Sequence, residues 1–496
     1  MKIRRWSIIR SFLFLCLLLC ALWNINRILV PKYRSANSGY PTTTTYEQFY
    51  RMDRNSIDVL FLGSSIAVNA FNPQQLYNDY QIRSYNLGSE QQSVFLSYYW
   101  LKEALRRQQP RVVVLESTFV FTRHMDYPSN TSEGLTRKCL DPMRWSEVKQ
   151  QAVHDICAIE PEQSELSYYL TNIRFHNRWR SLSAIDMDPQ ILDIDLKGYA
   201  PIAYYGENEY YEPFVLADSE AMEMPNAVSE EYLIRMAQLC REKGIKLILV
   251  NLPGTPMSDG IHNYMTGFAK DYGVDYINYC EKSMYEALGA KLPYENVLEH
   301  ENIWGSIKIC QALGRILQEK YDIPAIEDEQ WESTKDIYEH MVKNCELTHV
   351  TELADYLDKI RDERYTVFVA VADKSSLGLS GECRQKLSEL GLRTDMNGLE
   401  LAGYYAVIDA QDGVVEEAAL DRTVSRSGSI MNHKVTYQIT SSGTFTGEES
   451  SIIIESQEYS PNRRGMNFVI YDKSVGKVVD RVCFDTYEDT MTAVRP

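Results

Sequence analysis

Four short apolar runs, each bounded by a turn residue and separated by helical periodicity, constrain this chain more than any other feature. Ile57–Leu62 ends in Gly63, Ser84–Leu87 ends in Gly88, Arg111–Leu115 follows Pro110, and Ile245–Asn251 follows Gly244. Apolar runs this short, bounded by turn residues, predict buried strands. Between them, Gln92–Arg107 carries Leu96, Tyr99, Trp100 and Leu105 at helical spacing. Glu230–Lys243 does the same with Leu233, Met236, Leu239 and Cys240, and a last helix is expected over Ile303–Tyr321. Strands alternating with helices predict an α/β domain, a three-layer α/β/α sandwich around a parallel sheet. Such sheets carry their working residues beyond the carboxyl ends of the strands.

The amino terminus has a different texture. Residues 1–34 hold seven basic residues and no acid, leaving 44 basic against 69 acidic residues in 35–496, a net of −25. The overall charge of −18 argues against a protein that coats nucleic acid, which needs clustered Lys and Arg. Between Arg10 and Arg27 lie 16 uncharged residues, about 24 Å of helix at ~1.5 Å per residue. One reading is a cleaved signal peptide. The other is a transmembrane helix over about Trp6–Val30, with both arginines snorkelling and Trp6 and Trp23 at the interfaces. No small-x-small cleavage site follows the run, which favours the anchor. Lys2, Arg4 and Arg5 would then keep the amino terminus cytoplasmic and the body extracytoplasmic, a single-pass protein of the cell membrane.

The sequence divides into an anchor (1–34), a linker rich in Ser and Thr (35–54), an α/β domain (55–325), an acidic helical linker (326–363) and a β-rich module (364–496). Strands in the last are expected over Tyr365–Val371, Tyr404–Asp409, Lys434–Thr440, Ser451–Glu455, Asn467–Tyr471 and Lys477–Phe484. Gly476 reads as the turn of a hairpin joining the last two. The eight cysteines of the body show no ligand spacing for a structural metal, and neither metal nor cofactor is expected. A Cys383–Cys483 bridge is open outside the cell, but spacing does not establish pairing.

The sharpest chemical feature is Gly63-Ser64-Ser65 directly after a strand. A serine at a tight strand-to-helix turn presents its hydroxyl at the sheet edge beside backbone N–H groups able to hold an oxyanion. It could equally cap the helix that follows. A second strand closes as Asn86-Leu87-Gly88-Ser89, and His300-Glu301-Asn302-Ile303-Trp304-Gly305 opens the last helix. With these blocks, residues 55–325 resemble the SGNH (GDSL-like) hydrolase superfamily, in particular its membrane-anchored extracytoplasmic branch. That branch includes the D-alanyl transfer protein of teichoic acid synthesis and exopolysaccharide O-acetyltransferases. The resemblance implies a flavodoxin-like sheet, Ser65 as nucleophile, His300 as general base and Gly88 in the oxyanion hole. The Phe175-His176-Asn177-Arg178-Trp179 phrase resembles a substrate-side motif, making His176 and Arg178 candidate substrate contacts.

Two departures stand out. The aspartate three residues before the family histidine is Val297 here; Glu295, Glu299 and Glu116 are other carboxylates that could orient His300, with Glu299 the candidate site residue. The Gly-x-Asn block is missing, and Gln92 is the candidate side-chain donor in its place. His124 reads as a solvated loop residue, and Tyr204–Tyr211 as an aromatic, acidic loop.

Residues 364–490 resemble the interleukin-like epithelial–mesenchymal transition inducer domain. The phrases Arg464-Gly465-Met466-Asn467-Phe468-Val469-Ile470-Tyr471-Asp472 and Cys483-Phe484-Asp485-Thr486-Tyr487 carry that likeness most strongly. It implies a glycan-binding module, with Arg464 and Asp485 as candidate contacts, although the two could instead pair with each other. The combined expectation is an O-acyltransferase or esterase acting on a cell-surface polysaccharide or teichoic-acid-like polymer, served by a polytopic membrane-bound O-acyltransferase. The competing expectation is a catalytically impaired scaffold that binds surface glycan.

Overall fold

The structure, a computed structural model, describes residues 2–31, 45–122, 127–182, 184–187, 195–203, 213–217, 219–289, 295–297, 299–374, 377–395, 397–487 and 491–496. His124 and Tyr204–Tyr211 lie outside the described residues. The chain forms two compact units, Met1–Tyr338 and Glu339–Pro496.

The first unit opens with helix α1 (Lys2–Leu29). Its stretch Trp6–Leu29, 24 residues, is long and apolar enough to span a membrane, about 36 Å at ~1.5 Å per residue. Residues 45–54, expected to continue a linker, instead join the core. Helix α2 (Thr45–Phe49) buries Tyr46 and Phe49, and Tyr46 stacks on Trp100 with ring centroids 4.1 Å apart. The aromatic spacing Tyr46, Phe49, Tyr50 gives this segment an apolar face that the Ser- and Thr-rich residues before it lack.

Strands β1 (Val59–Leu62), β2 (Ser84–Asn86), β3 (Val112–Glu116), β4 (Lys246–Asn251) and β5 (Asp275–Asn278) form one sheet in the order β2-β1-β3-β4-β5. Every pairing is parallel, as in β1–β3, where Val59 lies opposite Val112 and Leu62 opposite Leu115. This is the expected flavodoxin-like α/β sheet. Side-chain alternation sorts the strands between two cores. Leu60, Leu62, Val113, Leu115, Leu247 and Leu249 face one core, shared with α5 (Val94–Ala104) and the helix Ala227–Lys243. Val59, Phe61, Val112, Val114, Ile248 and Val250 face the other, shared with α3 (Ser65–Ala70), α4 (Pro73–Tyr80) and the helix Ile303–Glu319. Strand order reverses between β1 and β3, so the open crevice lies beyond their carboxyl ends. Gly63 and Glu116 both lie there.

The second unit is built around Tyr365–Asp373, a strand buried along nearly its whole length. It pairs antiparallel with Gly403–Asp409 and with Gly465–Asp472, which turns back as the expected hairpin onto Lys477–Phe484. Tyr365, Val367, Val369 and Val371 face one core and Phe368 and Ala370 the other. The stretch expected as a helical linker is helical over Glu329–Leu347 and Leu353–Lys359, and Leu353, Tyr356 and Leu357 of the second helix join the first of these cores. No bridge joins Cys383 and Cys483: both are buried free thiols. Burial pushes the Cys483 thiol up to about 12, and its Sγ lies 3.2 Å from the Arg464 carbonyl oxygen.

Candidate active site

The turn after β1 is built to expose one serine and bury the other. Gly63 adopts φ +142°, and a Cβ placed there would lie 2.7 Å from the Glu116 Cβ and 2.9 Å from that of Ala67. Only glycine lets the chain turn so close to the end of β3. Ser64, fully buried, is the N-cap of α3: its Oγ accepts from the Ile66 N–H at 3.2 Å and donates to Glu116 Oε2 at 2.8 Å. The helix cap expected as an alternative role for Ser65 is thus filled by its neighbour. Ser65 begins the helix, so its N–H has no intrahelical acceptor. Its hydroxyl lies 2.8 Å from His300 Nε2.

His300 comes from a hairpin far along the chain. Asn296–Val297 and His300–Glu301 form a two-stranded antiparallel hairpin in which Val297 lies opposite His300. Glu299 sits in its turn, exposed, with φ +70°. Asn302 caps the helix that follows by accepting from the Trp304 and Gly305 N–H groups, both at 3.1 Å. Hairpin and cap together fix the imidazole's backbone on both sides. With Nδ1 protonated, Nε2 accepts the Ser65 hydroxyl proton, the tautomer that general-base chemistry requires.

Glu116 takes a different part from the one considered for it in the sequence. It is buried under the Ser64 turn, accepting from Ser64 Oγ and from the Thr118 N–H at 2.6 Å, so its carboxylate orients the turn. Burial pushes its carboxyl above the usual carboxylate range, and the donors on Thr118 and Ser64 hold it back.

The two candidate oxyanion donors are engaged elsewhere. The Gly88 N–H donates to Asn86 Oδ1 at 2.9 Å. Gln92 is 1% exposed; its Nε2 donates to the Leu87 carbonyl at 3.1 Å and to Ser97 Oγ at 3.0 Å, while Oε1 accepts from Tyr46 at 2.5 Å. Gln92 therefore braces the loop after β2. Asn86, a residue the sequence pattern does not single out, ties the site together. Its Nδ2 donates to the Ala67 and Phe71 carbonyls, each at 2.8 Å, and the Ser89 N–H reaches the Gly63 carbonyl at 3.2 Å. Its signal was an amide at the carboxyl end of a buried strand, where an apolar residue is the norm. Among the described residues, no group of three or more His, Cys, Asp or Glu side chains could hold a metal ion.

No family model matches the chain, and no curated protein matches it. Solved structures similar to it include a protein described as an acylhydrolase, from Bacteroides fragilis. It is 11% identical with a TM-score of 0.27, over 55% of this chain and 94% of that one. Another is a GDSL-like lipase from Bacteroides thetaiotaomicron, 13% identical with a TM-score of 0.27, over 55% of this chain and 95% of that one.

The candidate substrate contacts fall outside this constellation. Arg178 is held by Asp186, at 2.9 and 3.0 Å, and donates to the Leu29 carbonyl at 2.8 Å. His176 is exposed, with Nδ1 2.9 Å from the Ile173 carbonyl oxygen. Both belong to the segment that receives the end of α1. In the second unit Arg464 and Asp485 pair with each other, Nε–Oδ2 at 2.9 Å and Nη2–Oδ2 at 2.5 Å, the arrangement held open beside glycan contact. Arg464 also lies over the Tyr487 ring, 5.3 Å from its centroid.

Proposed function

We propose that this chain is a serine esterase or O-acyltransferase of the SGNH type that acts on an extracytoplasmic polymer. The observation that carries the reading is the 2.8 Å contact between Ser65 Oγ and His300 Nε2, made at the sheet's switch point by residues 235 positions apart. Ser65 attacks the acyl carbonyl as His300 takes its proton. The tetrahedral intermediate collapses with His300 returning the proton to the leaving alkoxide, and an alcohol or water repeats the sequence to release the acyl group. The Ser65 N–H is the backbone donor for the oxyanion. Fluorophosphonate labelling of the wild type and its absence in Ser65→Ala is the expected result. Equal labelling of both proteins would exclude Ser65 as the nucleophile.

The acceptor fitting a net −25 body is a neutral or amino-sugar polysaccharide, with a teichoic-acid-like polymer disfavoured by charge. A membrane-bound O-acyltransferase supplying the acyl group fits an anchored enzyme. The second unit serves as the glycan-holding module, with the Arg464–Asp485–Tyr487 surface as its contact. Arg464→Ala combined with Asp485→Ala is expected to lower retention on polysaccharide affinity gels several-fold, and unchanged retention would remove that surface from the proposal.

A second reading, a glycan-binding scaffold without turnover, is favoured by Val297 in place of the aspartate and by the Gly88 N–H already donated to Asn86. Labelling separates the two.

A further inference from the structure

The segment around the end of α1 carries an apolar surface that the proposed chemistry does not use. Leu166, Leu170 and Ile173, spread over two short helices (Glu165–Tyr169 and Asn172–Phe175) and the break between them, are 56%, 56% and 47% exposed. Beside them in sequence stand Trp179 at 63% and Met187 at 61%, and Trp145, 56% exposed, packs against Tyr169 with ring centroids 5.2 Å apart. Single exposed apolar side chains are ordinary, but a cluster with two tryptophans marks an interaction site. Trp179 is flanked by Arg180, whose guanidinium lies 5.1 Å from its ring centroid. An aromatic ring with a cation beside it is the composition of a membrane–water interface.

The same segment grips α1. The Thr171 hydroxyl donates to Asn26 Oδ1, and Arg178 donates to the Leu29 carbonyl at 2.8 Å. An arginine on the last carbonyls of a helix completes hydrogen bonds left open there and opposes the negative end of the helix dipole. Buried Asp186 holds the guanidinium from the other side. Leu29 is 8% exposed, whereas α1 from Trp6 to Trp23 presents its large apolar side chains outward. The helix therefore passes from a lipid-facing stretch into a protein collar at residues 26–29. The collar's level along α1 is the level at which a spanning helix leaves the hydrocarbon.

The geometry points to residues 145, 166–182 and 187 as a membrane-interface platform that lies in the lipid headgroup layer around the exit of α1. The inference rests on reading α1 as a membrane span. It gives the Phe175–Trp179 phrase a lipid contact and a helix cap in place of a substrate contact. Its consequence is a first unit held against the bilayer in one orientation, with its surface fixed relative to the membrane plane.

The test uses the full chain reconstituted in phosphatidylcholine vesicles containing lipids brominated near the headgroup end of the acyl chain. Of the seven tryptophans, Trp6, Trp23, Trp145 and Trp179 are strongly exposed, while Trp100 and Trp331 are fully buried and Trp304 is half-buried, and these last three supply a constant background. Trp145→Phe combined with Trp179→Phe is expected to remove about half of the quenchable emission. Trp6→Phe with Trp23→Phe removes the rest. Quenching lost only in the second pair overturns the platform and leaves the anchor standing. No quenching at any of the four overturns both.

Discussion

Replacing His300 by alanine is expected to slow turnover of a simple acyl ester by ~10²–10⁴-fold, the usual contribution of a positioned general base. Among the described residues the acceptor placed for the Ser65 Oγ proton is His300 Nε2 at 2.8 Å, and without that acceptor the hydroxyl is a poor nucleophile at neutral pH. The fold should tolerate the change. His300 is only half-buried, its hairpin is held by backbone pairing with Val297, and the following helix is capped by Asn302. A denaturation midpoint close to wild type, beside the fall in rate, separates lost chemistry from lost structure. Unchanged turnover would mean that His300 is not the base. Glu299→Gln makes a milder probe: the side chain is exposed in the hairpin turn, so any fall in rate would reflect its influence on His300.

The strands that position this site were legible because they are nearly uniform. Val59–Leu62 and Val112–Glu116 are buried on both faces, and a run of Val and Leu has no other soluble destination. Strand β5 was missed because Asp275-Tyr276-Ile277-Asn278 sits at the sheet edge, partly exposed, and reads as polar as a loop. Gly413–Ala419 and Val424–Ile430 escaped for the same reason: the first is nowhere fully buried and the second only at its two ends, and burial is what writes periodicity into a sequence. Helix α4 was missed too, since Pro73–Tyr80 carries Gln, Asn and Asp on its outer face.

The site was legible at the level of which residues meet, and less so at the level of which hydrogen bond each one makes. Gly63-Ser64-Ser65 and His300 stood out as punctuation after a strand and before a helix. Whether Ser64 or Ser65 caps α3 depends on one residue of register, and that register is set by Glu116, 52 positions away. The same holds for Gly88 and Gln92. A glycine and an amide in a loop are plausible oxyanion donors in any sequence, but Asn86, Leu87, Ser97 and Tyr46 claim them through contacts that no local pattern encodes. Arg178 shows the converse. A basic residue inside an aromatic phrase invites a binding role, and only the placement of Leu29 and Asp186 reveals a helix cap.

The second large effect is expected at Gly63. Gly63→Ala should destabilise the first unit by about 2–6 kcal/mol, taking ~1–3 kcal/mol for a side chain at a strained backbone conformation and ~1–3 kcal/mol for overpacking. Both terms follow from the turn itself. The backbone sits at φ +142°, and the added methyl would meet the Cβ atoms of Glu116 and Ala67 at 2.7 and 2.9 Å, neither of them the free end of a flexible chain. Relief requires β3 or α3 to move. Moving β3 draws Glu116 away from Ser64, leaving a buried carboxylate short of a donor; moving α3 draws Ser65 away from His300. Stability and labelling are therefore expected to fall together, measured as a lower urea midpoint and as lost fluorophosphonate incorporation under conditions where the variant remains folded. A variant with wild-type midpoint and wild-type labelling would show that the turn relaxes without cost, and that the approach of β1 to β3 does not set the serine's position. Ser64→Ala offers the comparison, because it removes the cap and one Glu116 donor without adding an atom to the turn. Its expected cost, ~1–2 kcal/mol for a lost N-cap, is smaller. The order Gly63→Ala above Ser64→Ala would identify close packing of the turn, more than its hydrogen bonds, as what holds Ser65 in place.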